Sequence, residues 1–142
     1  MDAINQRISI ELQKNARISN TALGKIVGIS SPAVAERIRK LEDSGVVERY
    51  TTQVSPYALG YQLKAIITLK AFMGKLKPFL VKVHSYEEVV NCYRITGNEN
   101  IVMEVVLKNQ AHLERLIDDL ISYGECKTQI VLSDIIKNRI IS

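Results

Sequence analysis

Between residues 17 and 41 five cations, Arg17, Lys25, Arg37, Arg39 and Lys40, stand against one acid, Glu36. Clustered positive charge of this kind suits a phosphate backbone, although a solvated helix face has the same composition. No other stretch offers as clear a chemistry. The seven glycines, at 24, 28, 45, 60, 74, 97 and 124, fall in neither GxGxxG nor phosphate-loop spacing. His84 and His112 have no partner at metal- or haem-ligand spacing. Asp118-Asp119 read as a solvated helix face, and Cys92 and Cys126 are too few for a disulfide framework or a four-ligand zinc site. The residues assign no nucleophile, no acid–base pair, no metal and no cofactor, so the expectation is a binding protein and not an enzyme.

The elements that must position the cations are helical. Ile4, Ile8 and Leu12 recur on one face of a first helix with Asp2 placed to cap it. Ser19 stands at the N-cap of a second helix with Leu23, Ile26 and Val27 as its apolar stripe, and Gly28 stops it. Gly28-Ile29-Ser30 then reads as a three-residue turn. Ser31-Pro32 reads as N-cap and first residue of a third helix, which carries Val34, Ile38 and Leu41 inward and ends at Gly45. Two helices joined by so short a turn make a helix-turn-helix, with Gly24 allowing close approach. At 100° per residue from Val34, the outward face of the third helix carries Pro32, Ala33, Glu36, Arg39 and Lys40, with Arg37 on the flank. Small residues followed by cations suit a helix laid tip-first into the major groove of double-stranded DNA. The expected contact set is Ser30, Ser31, Pro32, Ala33, Glu36, Arg37, Arg39, Lys40 and Arg49. Arg37 and Arg39 suit guanine edges or phosphates, Glu36 suits cytosine, and Lys40 suits phosphate. Arg49 is expected at the tip of a short hairpin, Val46-Val47 against Tyr50–Val54, touching the DNA backbone as a wing does.

From Tyr61 the texture changes. Tyr61, Leu63, Ala65, Ile67, Leu69 and Ala71 alternate with Gln62, Lys64, Thr68 and Lys70, with Ile66 as the exception on the polar side. A helix through Leu76, Phe79, Leu80 and Val83 follows, then strands over 89–96 and 101–107. A second helix carries Leu113, Leu116, Ile117, Leu120 and Ile121, and a last strand is expected over 128–136. The order β-α-β-β-α-β is that of a ferredoxin-like domain, with both helices on one sheet face. Ile66, Val102 and Val106 make the other face too apolar for water, so they are expected to meet a second copy of the chain. The second and fourth strands should be opposite edges, which keeps Cys92 and Cys126 apart. The fold class is α+β: a winged helix-turn-helix domain over 1–54, a connector over 55–60, and a ferredoxin-like domain over 61–142.

The chain's 142 residues are 46% hydrophobic and 24% charged, an ordinary globular composition with room for one domain or two small ones. The net charge of +4 is shared equally, +2 in residues 1–60 and +2 in residues 61–142, so neither half is globally basic. The first twenty residues hold no apolar run of signal-peptide type, and no run approaches the roughly 20 apolar residues of a membrane span. A cytoplasmic protein with no membrane partner is expected.

The stretch Ile8–Val47, with ELQKNARIS and LGKIVGISSPAVAERIRKLEDSGVV, resembles the DNA-binding half of the leucine-responsive regulatory protein/AsnC family of feast/famine regulators. The resemblance continues through Tyr50-Thr51, the connector and the β-α-β-β-α-β order. It implies a prokaryotic transcriptional regulator tied to amino-acid metabolism and to the nucleoid. It further implies homodimers formed through the sheets, octamers built as tetramers of dimers that wrap or bend DNA, and small effectors, usually amino acids, bound between C-terminal domains. Many members carry a Gly-Asp-Tyr/Phe-Asp turn beside the effector site, and the matching residues here are Gly97, Asn98, Glu99 and Asn100. A turn without the two aspartates holds an α-amino group differently, so a different ligand, or none, is the expectation. Two other readings stand beside this one. The first is an architectural nucleoid-type DNA binder of low sequence specificity. The second is a ferredoxin-like dimeric enzyme, such as a haem-degrading oxygenase, with His84 or His112 as ligand.

Overall fold

Asp2 opens the first helix as its position predicts. In the computed structural model, which describes residues Met1–Ser142, its carboxylate accepts from the Asn5 N–H at 2.7 Å and α1 runs Ala3–Lys14. Ser19 caps α2 (Asn20–Val27), accepting from the Ala22 N–H at 3.0 Å. The third cap lies one residue earlier than the sequence suggests. Ser30, not Ser31, accepts from the Ala33 N–H at 3.3 Å, and α3 runs Ser31–Asp43 with Pro32 inside its first turn. Proline is tolerated there because that N–H has no intrahelical partner. Ile8, Leu12, Leu23, Val34 and Leu41 form the buried centre of this unit, with Ile4, Ile18, Val27, Ile29, Ile38 and Val47 packed around it.

The expected hairpin after α3 is not formed: no paired strand occurs between Val46 and Val54. Neither Glu48 nor Arg49 adopts the positive φ that a two-residue hairpin turn demands. The Val47 N–H is instead given to the Leu41 carbonyl at 3.0 Å, folding the segment back on α3. This first compact unit comprises Met1–Gln53 together with Ile136–Ser142. The C-terminal residues are held by a reciprocal pair of bonds on α1. Gln13 Nε2 donates to the Ile141 carbonyl at 2.7 Å, and the Ile141 N–H donates to Gln13 Oε1 at 2.9 Å.

The second unit, Val54–Ile135, holds a four-stranded antiparallel sheet in the order β2-β3-β1-β4. Its strands are β1 (Leu63–Ala71), β2 (Val89–Arg94), β3 (Ile101–Leu107) and β4 (Gly124–Ile130), and its helices α4 (Leu76–Lys82) and α5 (Gln110–Leu120). β2 and β4 are the two edges, and both cysteines are free thiols. β1 starts two residues later than expected, because Tyr61 lies under the Lys108 ammonium at 4.0 Å and outside the ladder. β2 likewise stops at Arg94, short of Thr96.

β4 is shifted to 124–130 from the expected 128–136. It begins at Gly124, where a Cβ would lie 2.3 Å from the Lys70 carbonyl oxygen, an approach only glycine permits. Its last ladder pair is Ile130 opposite Ala65, and just beyond it the Val131 N–H still reaches the Lys64 carbonyl at 2.8 Å.

Ala65, Ile67, Leu69, Ile101, Met103 and Val105 face the helices and are fully buried against Phe79, Leu116 and Leu120. On the opposite face Ile66 and Val102 are half-buried in the single chain. Val106, expected to be open there, is only 8% exposed. Its N–H is bonded to the Glu88 carbonyl at 2.9 Å, which brings the start of β2 up against it. No helix is long and apolar enough to cross a membrane.

Candidate nucleic-acid interface

The angle between α2 and α3 is set by backbone. Gly28 ends α2 in the left-handed region, φ +77°, and its N–H and that of Ile29 both return to the Gly24 carbonyl, at 2.8 and 3.1 Å. A Cβ on Gly24 would lie 2.5 Å from the Ile29 carbonyl oxygen, so the turn rests directly on α2. Ile29 and Val34 then enter the core, and the remaining faces of α3 are left to solvent.

Pro32, Glu36, Arg39 and Lys40 are exposed, Ser30 is the exposed cap, and Ser31 and Ala33 are half-buried at the helix start. No carboxylate lies in the first turn of α3, so the partial positive charge of its N-terminus is uncompensated.

The cations differ in how they are held. Arg39 is gripped within its own helix. Its Nε and Nη2 donate to Glu36 at 3.1 and 2.8 Å, and its Nη1 donates to Asp43 at 2.7 Å. The hydrogen bond from Arg39, then its charge, hold the Glu36 carboxyl below its ordinary range. Lys40 is looser, with Nζ 3.9 Å from Glu36 and a side chain 66% exposed. Arg37 turns away from this face: its Nη1 donates to Asp2, the N-cap of α1, at 2.7 Å and to Asn5 in the first turn of α1 at 2.9 Å. Arg49 is exposed on the unpaired segment after α3. That segment is tied by Tyr50, whose hydroxyl donates to Glu42 at 2.8 Å. Partial burial, then this bond, push the phenol up to about 12.

Spacing alone could have found the Arg39 partners, at i−3 and i+4. Nothing local in the sequence points to the pairing of Arg37 with Asp2 or of Tyr50 with Glu42.

The turn expected to hold an effector is built differently from a free loop. Asn100 is structural: its Oδ1 accepts from the Ala71 N–H at 2.8 Å and its own N–H donates to the Leu69 carbonyl at 3.0 Å. Gly97 takes φ +106°, and Glu99 reaches Lys127 at 3.1 Å, which lowers its carboxyl. Asn98 and Glu99, with Lys70, Glu125 and Lys127, line a small polar cleft of about 160 Å³. A larger cleft of about 460 Å³ lies at Gln62, Leu63, Asn109, Gln110, Leu113 and Ile130. His84 is exposed beyond α4, and His112 Nδ1 accepts the Lys108 N–H at 3.0 Å.

Two family models match successive parts of the chain. Residues 1–48 match a winged helix-turn-helix DNA-binding model, and residues 64–141 match the Lrp/AsnC ligand binding domain. The chain belongs to the Lrp/AsnC family.

It is 34% identical over 118 residues to the HTH-type transcriptional regulator FL11 of Pyrococcus furiosus, covering 83% of this chain and 78% of FL11. It is 36% identical to the uncharacterized HTH-type transcriptional regulator YezC of Bacillus subtilis over 94% of each chain. The solved structure of Bacillus subtilis LrpC superposes with a TM-score of 0.91 at 27% identity, covering 95% of this chain and 96% of LrpC. A Neisseria meningitidis regulator crystallised with L-methionine shares the fold, with a TM-score of 0.93 at 23% identity over 100% of this chain and 96% of its own. As an Lrp/AsnC member the chain is a DNA-binding transcriptional regulator and not a haem-degrading enzyme.

The family's DNA-binding half here hangs on the Gly24 contact. Gly24→Ala must push the Ile29 carbonyl aside, and overpacking of this kind costs about 1–3 kcal/mol. Thermal unfolding of the purified variant should register that loss, and a variant as stable as the parent would show that the turn yields freely.

Proposed function

We propose that α3 is the reading helix, entering the major groove by its N-terminal end with Ser30, Ser31, Pro32 and Ala33 against the backbone and Arg39 and Lys40 beyond them. The observation that carries this reading is the outer face of α3, on which Glu36, Arg39, Lys40 and Asp43 sum to zero charge. An architectural binder of low specificity relies on many unpaired phosphate contacts. A face whose arginine is fixed between two carboxylates favours readout at base edges, so the sequence-specific reading is preferred. Arg49 stands near enough in sequence to add a backbone contact. In the cell this regulator would reside on the chromosome. Lys40→Ala should flatten the salt dependence of binding by about one unit of slope. Arg39→Ala should cost about 1–3 kcal/mol at one base position of the operator. Unchanged affinity in both variants, measured by titration of labelled operator at several salt concentrations, places the DNA surface elsewhere.

Assembly follows from the sheet face opposite the helices. Ile66 and Val102 are proposed as the interface of a homodimer, and dimers as the units of an octamer; Val106, covered within its own chain, has little surface to add. Two copies bring two reading helices onto half-sites about one helical turn apart, or a multiple of it. Ile66→Lys sets a charge into that interface. Light scattering should then report smaller particles, together with loss of tight operator binding. A variant of unaltered mass would remove this face from the interface.

The polar cleft at Asn98 and Glu99 is proposed as the effector position. Asn100 spends its side chain on the Ala71 N–H, and the carboxylate of Glu99 is engaged by Lys127, so little is left to hold an α-amino group. Leucine, methionine and the other common amino acids should leave operator affinity and particle mass unchanged. A shift with any one of them would return the site to the amino-acid class, since an effector must bind two states unequally to act.

A further inference from the structure

We infer that Arg37 is a positioning residue, a strut that fixes the orientation of α3 by acting through Asp2 and Asn5 of α1, and that it does not read DNA. Of the α3 cations described, Arg37 alone has its partners on another helix. Its Nη1 is shared by Asp2 Oδ2 at 2.7 Å and Asn5 Oδ1 at 2.9 Å. Asp2 is itself immobilised, because its other carboxylate oxygen accepts the Asn5 N–H at 2.7 Å as the N-cap of α1. The carboxylate cannot follow a moving arginine without undoing the cap. Asn5 is half-buried in the same turn, so the receptor for the guanidinium is built from two residues already fixed by the start of a helix.

Arg39, two residues further on, makes the contrast clear. Glu36 and Asp43 lie on its own helix and travel with it, so it can exchange a carboxylate for a base edge without disturbing how α3 is seated. Swinging Arg37 to DNA would break both bonds to the start of α1 and leave the Asp2 carboxylate without its cation. Both consequences oppose binding, so the pair stays closed in the bound state.

The inference rests on α3 being the reading helix, and its test separates the two. Asp2→Ser keeps a side chain able to cap α1 while removing the ion-pair partner. A DNA-reading Arg37 restrained by Asp2 would be released by this change, and operator affinity would rise, since a cation is freed and an anion removed. A strut predicts the opposite sign. At a temperature where circular dichroism shows every variant folded, Asp2→Ser and Arg37→Ala should each lose roughly 2- to 5-fold in operator affinity, the scale of a partly exposed pair. The double variant should be no weaker than Arg37→Ala alone. The salt slope of Arg37→Ala should match that of the parent. An affinity gain in Asp2→Ser, or a slope lowered by about one unit in Arg37→Ala, overturns the inference. If Arg39→Ala and Lys40→Ala leave binding intact, the reading helix is wrong. The strut is then judged by thermal unfolding of the same cycle, where additive losses from Asp2→Ser and Arg37→Ala reject it and non-additive losses uphold it.

Discussion

The DNA-binding unit depends on one close approach, that of the Gly24 backbone to the Ile29 carbonyl. An α2–α3 pair joined by three residues can bury Leu23, Val27, Ile29, Val34, Ile38 and Leu41 together only if the turn lies flat on α2. A side chain at position 24 would occupy that space, as the 2.5 Å distance from a built Cβ makes plain. Once the turn is seated, the inward face of α3 is fixed by Val34 and Leu41, and the outward face is whatever remains. The reading surface is thus a by-product of core burial: hydrophobic area sets the rotation of the helix, and charge merely occupies the face left in water.

That face holds its charge in a restrained form. A basic segment gains affinity for DNA indiscriminately through counterion release, and each carboxylate placed beside a cation reduces that gain. Glu36 and Asp43 beside Arg39 lower the general attraction and limit the conformations of the guanidinium. Exposed ion pairs of this kind add little to stability, so their consequence lies in the geometry and charge offered to a partner. The mild net charge of +4 agrees with such a balance.

In the sheet unit the same logic operates through backbone. Gly124 admits β4 against the end of β1, and Asn100 closes the other side of that end by accepting the Ala71 N–H and donating to the Leu69 carbonyl. The turn from β2 to β3 is therefore pinned at its last residue while Asn98 and Glu99 stay at the surface beside Lys127. A residue that looks like an altered ligand contact in the sequence is, in the fold, a bond that holds the sheet end together.

Much of this was legible in the sequence because its causes are local. Caps at Asp2 and Ser19, the stop at Gly28, the alternation in β1 and the limits of β3 each follow from neighbours within a few residues. Two local details fell outside the pattern: the cap of α3 is Ser30 and not Ser31, and the Val47 N–H goes to the Leu41 carbonyl at the end of α3 instead of into a hairpin. What tertiary structure alone decided involves partners distant along the chain. β4 takes its start from the close approach of Gly124 to the Lys70 carbonyl, a partner 54 positions away, and not from its own pattern. Arg37 found Asp2, 35 positions away, and Ile141 found Gln13, 128 positions away. Sequence periodicity indicates which face of an element avoids water, although Ile26 and Ile121, assigned to the apolar stripes of their helices by that pattern, are exposed. Which polar group meets which is settled only when packing has brought distant segments within hydrogen-bonding distance, where fractions of an ångström separate a bond from none.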